Sequence, residues 1–149
     1  MPIPAFESSG WLPAGRHKAT WSEVEKHLDG PMLSKRHQLL QALLHWKDEL
    51  RRLGVSGFIV LDGSFVSTKH EPGDIDALVV YDKRSERILE ESSEARELLD
   101  LIHCKVRGLG DIFMLSAEAI GKFPHLCRLD GFDFDKATKV RKGVLEVEI

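Results

Sequence analysis

The most constraining feature of this chain is one stretch, Gly57 to Tyr81, which reads GFIVLDGSFVSTKHEPGDIDALVVY. It holds two short apolar runs, Phe58-Ile59-Val60-Leu61 and Ala77-Leu78-Val79-Val80-Tyr81, both rich in β-branched residues and bounded by turn formers. Such runs read as buried strands, and we place them at 55–61 and 74–81. The first leads into Asp62-Gly63-Ser64, and the second opens with Asp74-Ile75-Asp76. Side chains alternate along a strand, so Asp74 and Asp76 are expected on one face. Two close carboxylates repel each other, and a divalent cation removes that cost. Mg²⁺ is a hard ion that takes one or two carboxylates, keeps several waters and uses substrate phosphates for the rest. Gly63 lets a phosphate approach the backbone. Ser64 is expected to cap a following helical turn whose N–H groups face an anion. The stretch therefore reads as a phosphate cradle beside a carboxylate pair. The competing reading is a tight turn before a strand with solvated aspartates.

The rest of the chain bounds this reading. Its 149 residues are the length of one ordinary domain. We divide it into an arm with a short helix, 1–33, and a core, 34–149. A hydrophobic content of 42% and a charged content of 30% describe a soluble globular protein. The net charge of −3 argues against a dedicated nucleic-acid binder. No apolar run approaches a membrane span, and the start MPIPAFESSG lacks the basic and apolar regions of a signal peptide. A cytoplasmic protein with no membrane partner is the expectation.

In chain order, Pro2, Pro4, Gly10, Pro13 and Gly15 exclude a helix at the start, and Phe6, Trp11 and Leu12 suggest an extended arm lying on the domain. Trp11 reads either as a packing residue or as one facing substrate. Thr20 and Glu23 form a capping box for a helix to Leu28. A longer helix runs from Ser34 to Leu53, with Leu39, Leu43, Trp46 and Leu50 on its apolar stripe and Gly54 after its end. His37 and His45 show no matching acidic partner and read as ordinary helix residues. Ser64 to His70 reads as a short helix or turn, and Glu71-Pro72-Gly73 as the turn into the aspartate strand. Within it, Lys69 reads either as a point-charge contact to a triphosphate or as a surface lysine. Further helix is expected over 84–103, a strand over 112–115, and a short helix capped by Ser116 and stopped at Pro124. The segment 135–142 is a hairpin or loop into a last, half-solvated strand, 143–149, expected at a sheet edge. The elements give an α+β domain: a mixed, partly antiparallel sheet with helices packed mainly on one face.

The series Leu61, Gly63, Ser64, then Asp74-Ile75-Asp76-Ala77 resembles the signature of the DNA polymerase β-like nucleotidyltransferase superfamily. Asp62 departs from it, standing where that superfamily has an apolar residue. The chain also resembles, more loosely, a small family of bacterial or phage stand-alone domains with a Trp-Leu-Pro-x-Gly arm, here Trp11 to Gly15, which carries no agreed activity. The first resemblance implies a nucleotidyltransferase-like sheet and Mg²⁺-dependent transfer of a nucleotide from a nucleoside triphosphate to a hydroxyl. It implies metal ligation by Asp74 and Asp76 in a two-metal site, and triphosphate binding by Gly63 and Ser64 with Ser67 and Lys69 beside them. It also implies a third carboxylate on a strand next to the Asp-x-Asp strand, completing the metal site and helping to deprotonate the acceptor. Asp111 fits that place, and a turn aspartate ahead of a strand is its other reading. Asp133 and Asp135 are the rivals, read as loop carboxylates paired with Lys136, Lys139, Arg141 and Lys142. The acceptor implied by small members is a protein partner, as for antitoxins that modify a toxin. Transfer RNA, as for toxin-type members, and a degenerate domain that binds only nucleotide or partner are the alternatives. The low net charge favours the protein acceptor.

Cys104 and Cys127 stand far apart with no metal-like spacing, so both are expected as reduced thiols. A thiol-reagent titration of the unfolded, non-reduced protein should find both cysteines free. A titration finding neither would establish a disulfide instead.

Overall fold

The helices begin where the sequence supplies caps. Thr20 accepts the Glu23 N–H at 3.2 Å while the Glu23 carboxylate accepts the Thr20 N–H, and this capping box opens α1 (Trp21–Leu28). Ser34 accepts the His37 N–H at 3.1 Å and opens α2 (Lys35–Arg52). Gly54, at φ 84°, follows the last turn of α2 in the left-handed conformation that closes many helices. Asp82 caps α3 (Lys83–Glu91) by accepting the Ser85 N–H. The computed structural model describes residues 3–94, 112–118, 134–135, 140–141 and 143–149. The expectations that fall on Asp111, Asp133, Cys104, Cys127 and most of 95–123 lie outside the described residues.

Five strands form one mixed sheet: β1 (Gly15–Ala19), β2 (Gly57–Asp62), β3 (Asp76–Tyr81), β4 (Ile112–Ser116) and β7 (Gly143–Glu148). Their spatial order is β1-β7-β2-β3-β4. β2 runs antiparallel to both neighbours, while the outer pairs β1–β7 and β3–β4 are parallel. Between β4 and β7 in sequence, β5 (Phe134–Asp135) and β6 (Val140–Arg141) pair antiparallel, a hairpin where 135–142 was expected to supply one.

Alternation sorts the central strands onto two buried faces. Ile59, Leu61, Ala77, Val79, Leu145 and Val147 join Val24 and Leu28 of α1 and Leu39, Leu43 and Trp46 of α2 in the main core. Ile88 and Leu89 of α3 pack against the same cluster. Val60, Leu78, Val80 and Val144 point the other way and are buried too, with Phe58 against them. Burial on both faces explains why β2 and β3 read as unbroken apolar runs. The result is an α+β fold with three helices packed against a mixed sheet. Among the described residues no helix is long and apolar enough to cross a membrane.

Several boundaries differ from expectation, among them β2, which spans Gly57–Asp62 where the pattern placed a strand at 55–61. The last strand is interior, because β1 pairs parallel with it, register Gly15↔Gly143 through Ala19↔Val147. Its glutamates looked solvated in the pattern, but Glu146 forms an ion pair with Arg16 of β1. The arm therefore ends in a strand, and it is strapped down just before it. Leu12 accepts the Gly143 N–H at 3.0 Å, and a Cβ on Gly143 would lie 2.2 Å from the Pro13 carbonyl oxygen. Finally, β3 starts at Asp76, two residues later than the pattern placed it.

The α3 cap also ties the sheet to the helix layer. Asp82 accepts the Ser56 hydroxyl at 2.5 Å and the Ser85 hydroxyl at 3.0 Å, and fully buried Ser85 accepts the Ser56 N–H at 2.8 Å. The Ser56 bond leads in holding the Asp82 carboxyl below its ordinary value, with Ser85 and the Arg84 charge adding to it and burial opposing it. A depressed carboxylate stabilises the fold above the ordinary range, near pH ~4, and that contribution is lost as pH falls through the folded value. Asp82→Ala should therefore cost about 1–2 kcal/mol at pH 7, measured by urea unfolding. The gap to wild type should shrink as pH drops below ~4. A gap independent of pH would mean that the carboxylate charge is not what stabilises the cap.

Candidate functional site

The β2–β3 register brings the two halves of the signature to one end of the sheet. Asp62 stands directly opposite Asp76. Gly63 follows at φ 86°, a conformation costly to any residue with a side chain. A Cβ at Gly63 would sit 3.1 Å from Asp76 Oδ2 and 3.4 Å from the Asp76 N, so the glycine backbone lies against the aspartate carboxylate. A single 3₁₀ turn, Ser64–Val66, comes next. Gly63 occupies its cap position and no side-chain cap bond is made, so Ser64 is the first residue of the turn and not its cap. The reason is geometric: the sharp exit from β2 requires the glycine conformation at the cap itself.

Asp76 is half-buried at the start of β3, and Asp74 is exposed just ahead of it. Ile75 between them is buried in the main core, 1% exposed, which turns Asp76 to the opposite side of the sheet. Asp62 shares that side and is itself 2% exposed. The sequence pattern treated Asp62 as a mere departure from the signature; the register makes it the carboxylate nearest to Asp76 across the ladder. Like charges placed directly opposite destabilise a sheet. β4 lies next to β3 with Ile112 opposite Ala77, one residue past Asp76. Asp111 precedes Ile112 in the chain and lies outside the described residues, as does Asp133. Asp135 belongs to β5, which pairs only with β6 and is separate from the main sheet. Among the described residues, no three His, Cys, Asp or Glu side chains group closely enough to hold a metal ion.

The loop after the 3₁₀ turn is held from within by Arg36. This residue lies on the first turn of α2, 7% exposed. Its Nη1 donates to the carbonyls of Phe65 at 2.6 Å and Leu28 at 3.3 Å, and its Nη2 to those of Ser67 at 3.0 Å and Lys69. The guanidinium also lies over the Phe65 ring, 5.2 Å from its centre. Burial pulls the Arg36 value below that of a free guanidinium. One sequence signal pointed to it: position 36 falls on the same helical stripe as Leu39, Leu40 and Leu43, so a charge stands on the core face. Ser67 is tied into the same loop, 7% exposed, donating its hydroxyl to the Ser64 carbonyl and accepting the Lys69 N–H at 3.1 Å. Its hydroxyl shapes the loop, whatever it does for a ligand. Lys69 is exposed.

A groove of about 390 Å³ runs along this loop, lined by Ser9, Gly10, Trp11, Ser64, Ser67, Thr68 and Lys69. It gathers three of the four residues expected to bind nucleotide and adds Trp11. On its other side the loop faces a smaller cleft lined by His27, Asp29, Arg36 and His70. Both histidines of α2 have acidic partners after all, since His37 Nδ1 lies 2.8 Å from Asp29 Oδ1 and His45 is within 3.6 Å of Glu49. Neither faces the groove.

The chain belongs to a family of unknown function, DUF6932, whose model matches residues 4–148. No curated protein and no solved structure matches it.

Arg36→Met should leave the buried carbonyls of Phe65 and Ser67 without donors and destabilise the protein by about 3 kcal/mol in urea unfolding. Arg36→Lys should rescue little, since an ammonium cannot reproduce the planar fork. Hydrogen exchange should quicken first in 64–69. A full rescue by lysine would show that charge alone, without the fork, holds the loop.

Proposed function

We propose that the protein is a Mg²⁺-dependent nucleotidyltransferase that moves a nucleotide from a nucleoside triphosphate to a hydroxyl on a protein partner. The observation that carries this reading is the contact of the Gly63 backbone with the Asp76 carboxylate at the end of two paired strands. The exit of β2 thereby lies beside hard anionic oxygen, which is the donor type Mg²⁺ prefers. The adjacency of β4 to β3 supports it further, because that strand begins opposite Ala77, the residue after Asp76.

In this reading Asp74 and Asp76 hold the ion, with Asp111 as the third carboxylate. An ion held by these residues would supply the positive charge that an in-line displacement at phosphorus needs. Gly63 and Ser64 seat the β- and γ-phosphates, and exposed Lys69 adds a point charge beside them. The acceptor oxygen bonds to the α-phosphorus, the bond to pyrophosphate breaks, and the hydroxyl proton passes to the Asp111 carboxylate. A net charge of −3 suits a protein acceptor better than transfer RNA. A second reading, a non-catalytic domain that binds nucleotide or partner, is favoured by one observation: Asp74 stands exposed outside the strand.

Asp76→Asn separates these readings. It keeps the side-chain size and removes one of two charges that face each other across the ladder, so the melting temperature without ligand should hold or rise. Wild type with NTP and Mg²⁺ at a hundredfold excess over Kd should gain about 2.7 kcal/mol, and the variant should lose most of that gain. Pyrophosphate release by wild type distinguishes the enzyme from the binding domain. No stabilisation with ATP, GTP, CTP or UTP would defeat the nucleotide reading altogether.

A further inference from the structure

The groove beside the Gly63–Ser64 turn is lined from two parts of the chain. The loop contributes polar and cationic residues, Ser64, Ser67 and Lys69, and the N-terminal arm contributes an aromatic one, Trp11. Its volume of about 390 Å³ lies within the range of small-molecule sites. The arm does not lie there by chance packing. Trp11 pairs with Ser67 in an antiparallel bridge, and Thr68 donates its N–H to the Gly10 carbonyl at 2.9 Å. Gly10, at φ 90°, lets the two backbones approach so closely that a Cβ there would lie 2.8 Å from Thr68 Oγ1. The Trp11 carbonyl accepts the Glu7 N–H at 2.8 Å, and the next residue, Leu12, is fully buried. The backbone under the indole is thus fixed on both sides.

The other two tryptophans are used differently. Trp46 is 1% exposed in the core. Trp21 is also buried, donating its Nε1–H to the Glu148 carbonyl at 2.7 Å with the Lys47 ammonium over its ring. Trp11 alone of the three remains half-exposed, and it lines a groove together with exposed Lys69 and with Ser64. A ligand matching both kinds of lining carries phosphate at one end and a flat aromatic group at the other.

We propose that the Trp11 indole is the stacking platform for the base of the nucleoside triphosphate, an inference that rests on the nucleotidyl-transfer reading. Stacking tolerates every base, because each has a π-face. The platform therefore contributes affinity without base selectivity. The arm is then part of the substrate site, and the bridge to Ser67 is what couples base and phosphate recognition.

The test compares NTP with inorganic tripolyphosphate, which carries the phosphate chain and no base, both with Mg²⁺, by calorimetric titration. Trp11→Ala should weaken each of the four NTPs by about tenfold to a hundredfold and leave tripolyphosphate binding unchanged. Trp11→Phe, which keeps an aromatic face, should recover most of the NTP affinity. Equal loss for NTP and tripolyphosphate would reduce Trp11 to a support for the loop and overturn the proposal. So would NTP binding untouched by Trp11→Ala, and in either case the nucleotide reading itself would survive. Wild type that binds neither NTP nor tripolyphosphate would remove the nucleotide reading and this inference with it.

Discussion

A buried guanidinium with carbonyl partners holds the loop after β2 against the helices. Arg36 sits at the start of an 18-residue helix, where the helix dipole is positive and a cation is poorly placed. Its neighbour Lys35 adds to that load, and the first turn of α2 has no acidic residue. What offsets the cost is a ring of main-chain carbonyls from Leu28, Phe65, Ser67 and Lys69, each a dipole with its negative end toward the guanidinium. Arginine stays charged even when burial lowers its value, so the arrangement does not depend on pH in the physiological range. It joins three elements at one point: the end of α1, the start of α2 and the loop leaving β2. The arm is joined indirectly, through its bridge to Ser67.

The parts of the fold governed by local signals were legible in the sequence. Thr20 with Glu23, Ser34 with His37, and Gly54 fix helix ends through bonds that span three residues or fewer, or through a backbone conformation that favours glycine. The strands β2 and β3 were legible because burial on both faces leaves them apolar throughout. β1 was not, and the reason is physical. Its residues Gly15-Arg16-His17-Lys18-Ala19 carry no apolar alternation, and they stay exposed or half-exposed. Parallel pairing to β7 makes them a strand, and a partner at the far end of the chain leaves no local trace. The same pairing made β7 look like an edge: Glu146 alternates as a solvated residue would, while an arginine across the ladder neutralises it.

The site divides along the same line. Gly63, Ser64 and Asp76 lie within one stretch, and their proximity follows from a register that two adjacent apolar strands nearly dictate. Arg36 and Trp11 reach the same loop from distant points in the chain. Arg36 left one trace, a charge on an apolar stripe. Trp11 left none beyond being an aromatic residue on a Pro- and Gly-rich arm. Asp62 was visible as a departure from the signature, but a one-dimensional signature cannot show that its strand sets it opposite Asp76.

Two features at this end of β2 run against local preference, and they have separate causes. Asp62, almost fully buried, stands opposite Asp76 in the ladder, and α2 opens with Lys35 and Arg36 at its positive pole. A scaffold under no other demand would relieve each by a single substitution: an apolar residue at 62, an acid at 35. Locally unfavourable choices that gather in one place are the usual mark of a site kept for what it binds. The sign of the misfit is informative as well. Carboxylates opposite each other in the ladder suit a cation, while the exposed Lys69 in the groove beside them suits an anion. Under the nucleotidyl-transfer proposal, the ligand that would satisfy both is a polyanion carrying its own metal, a nucleoside triphosphate with Mg²⁺.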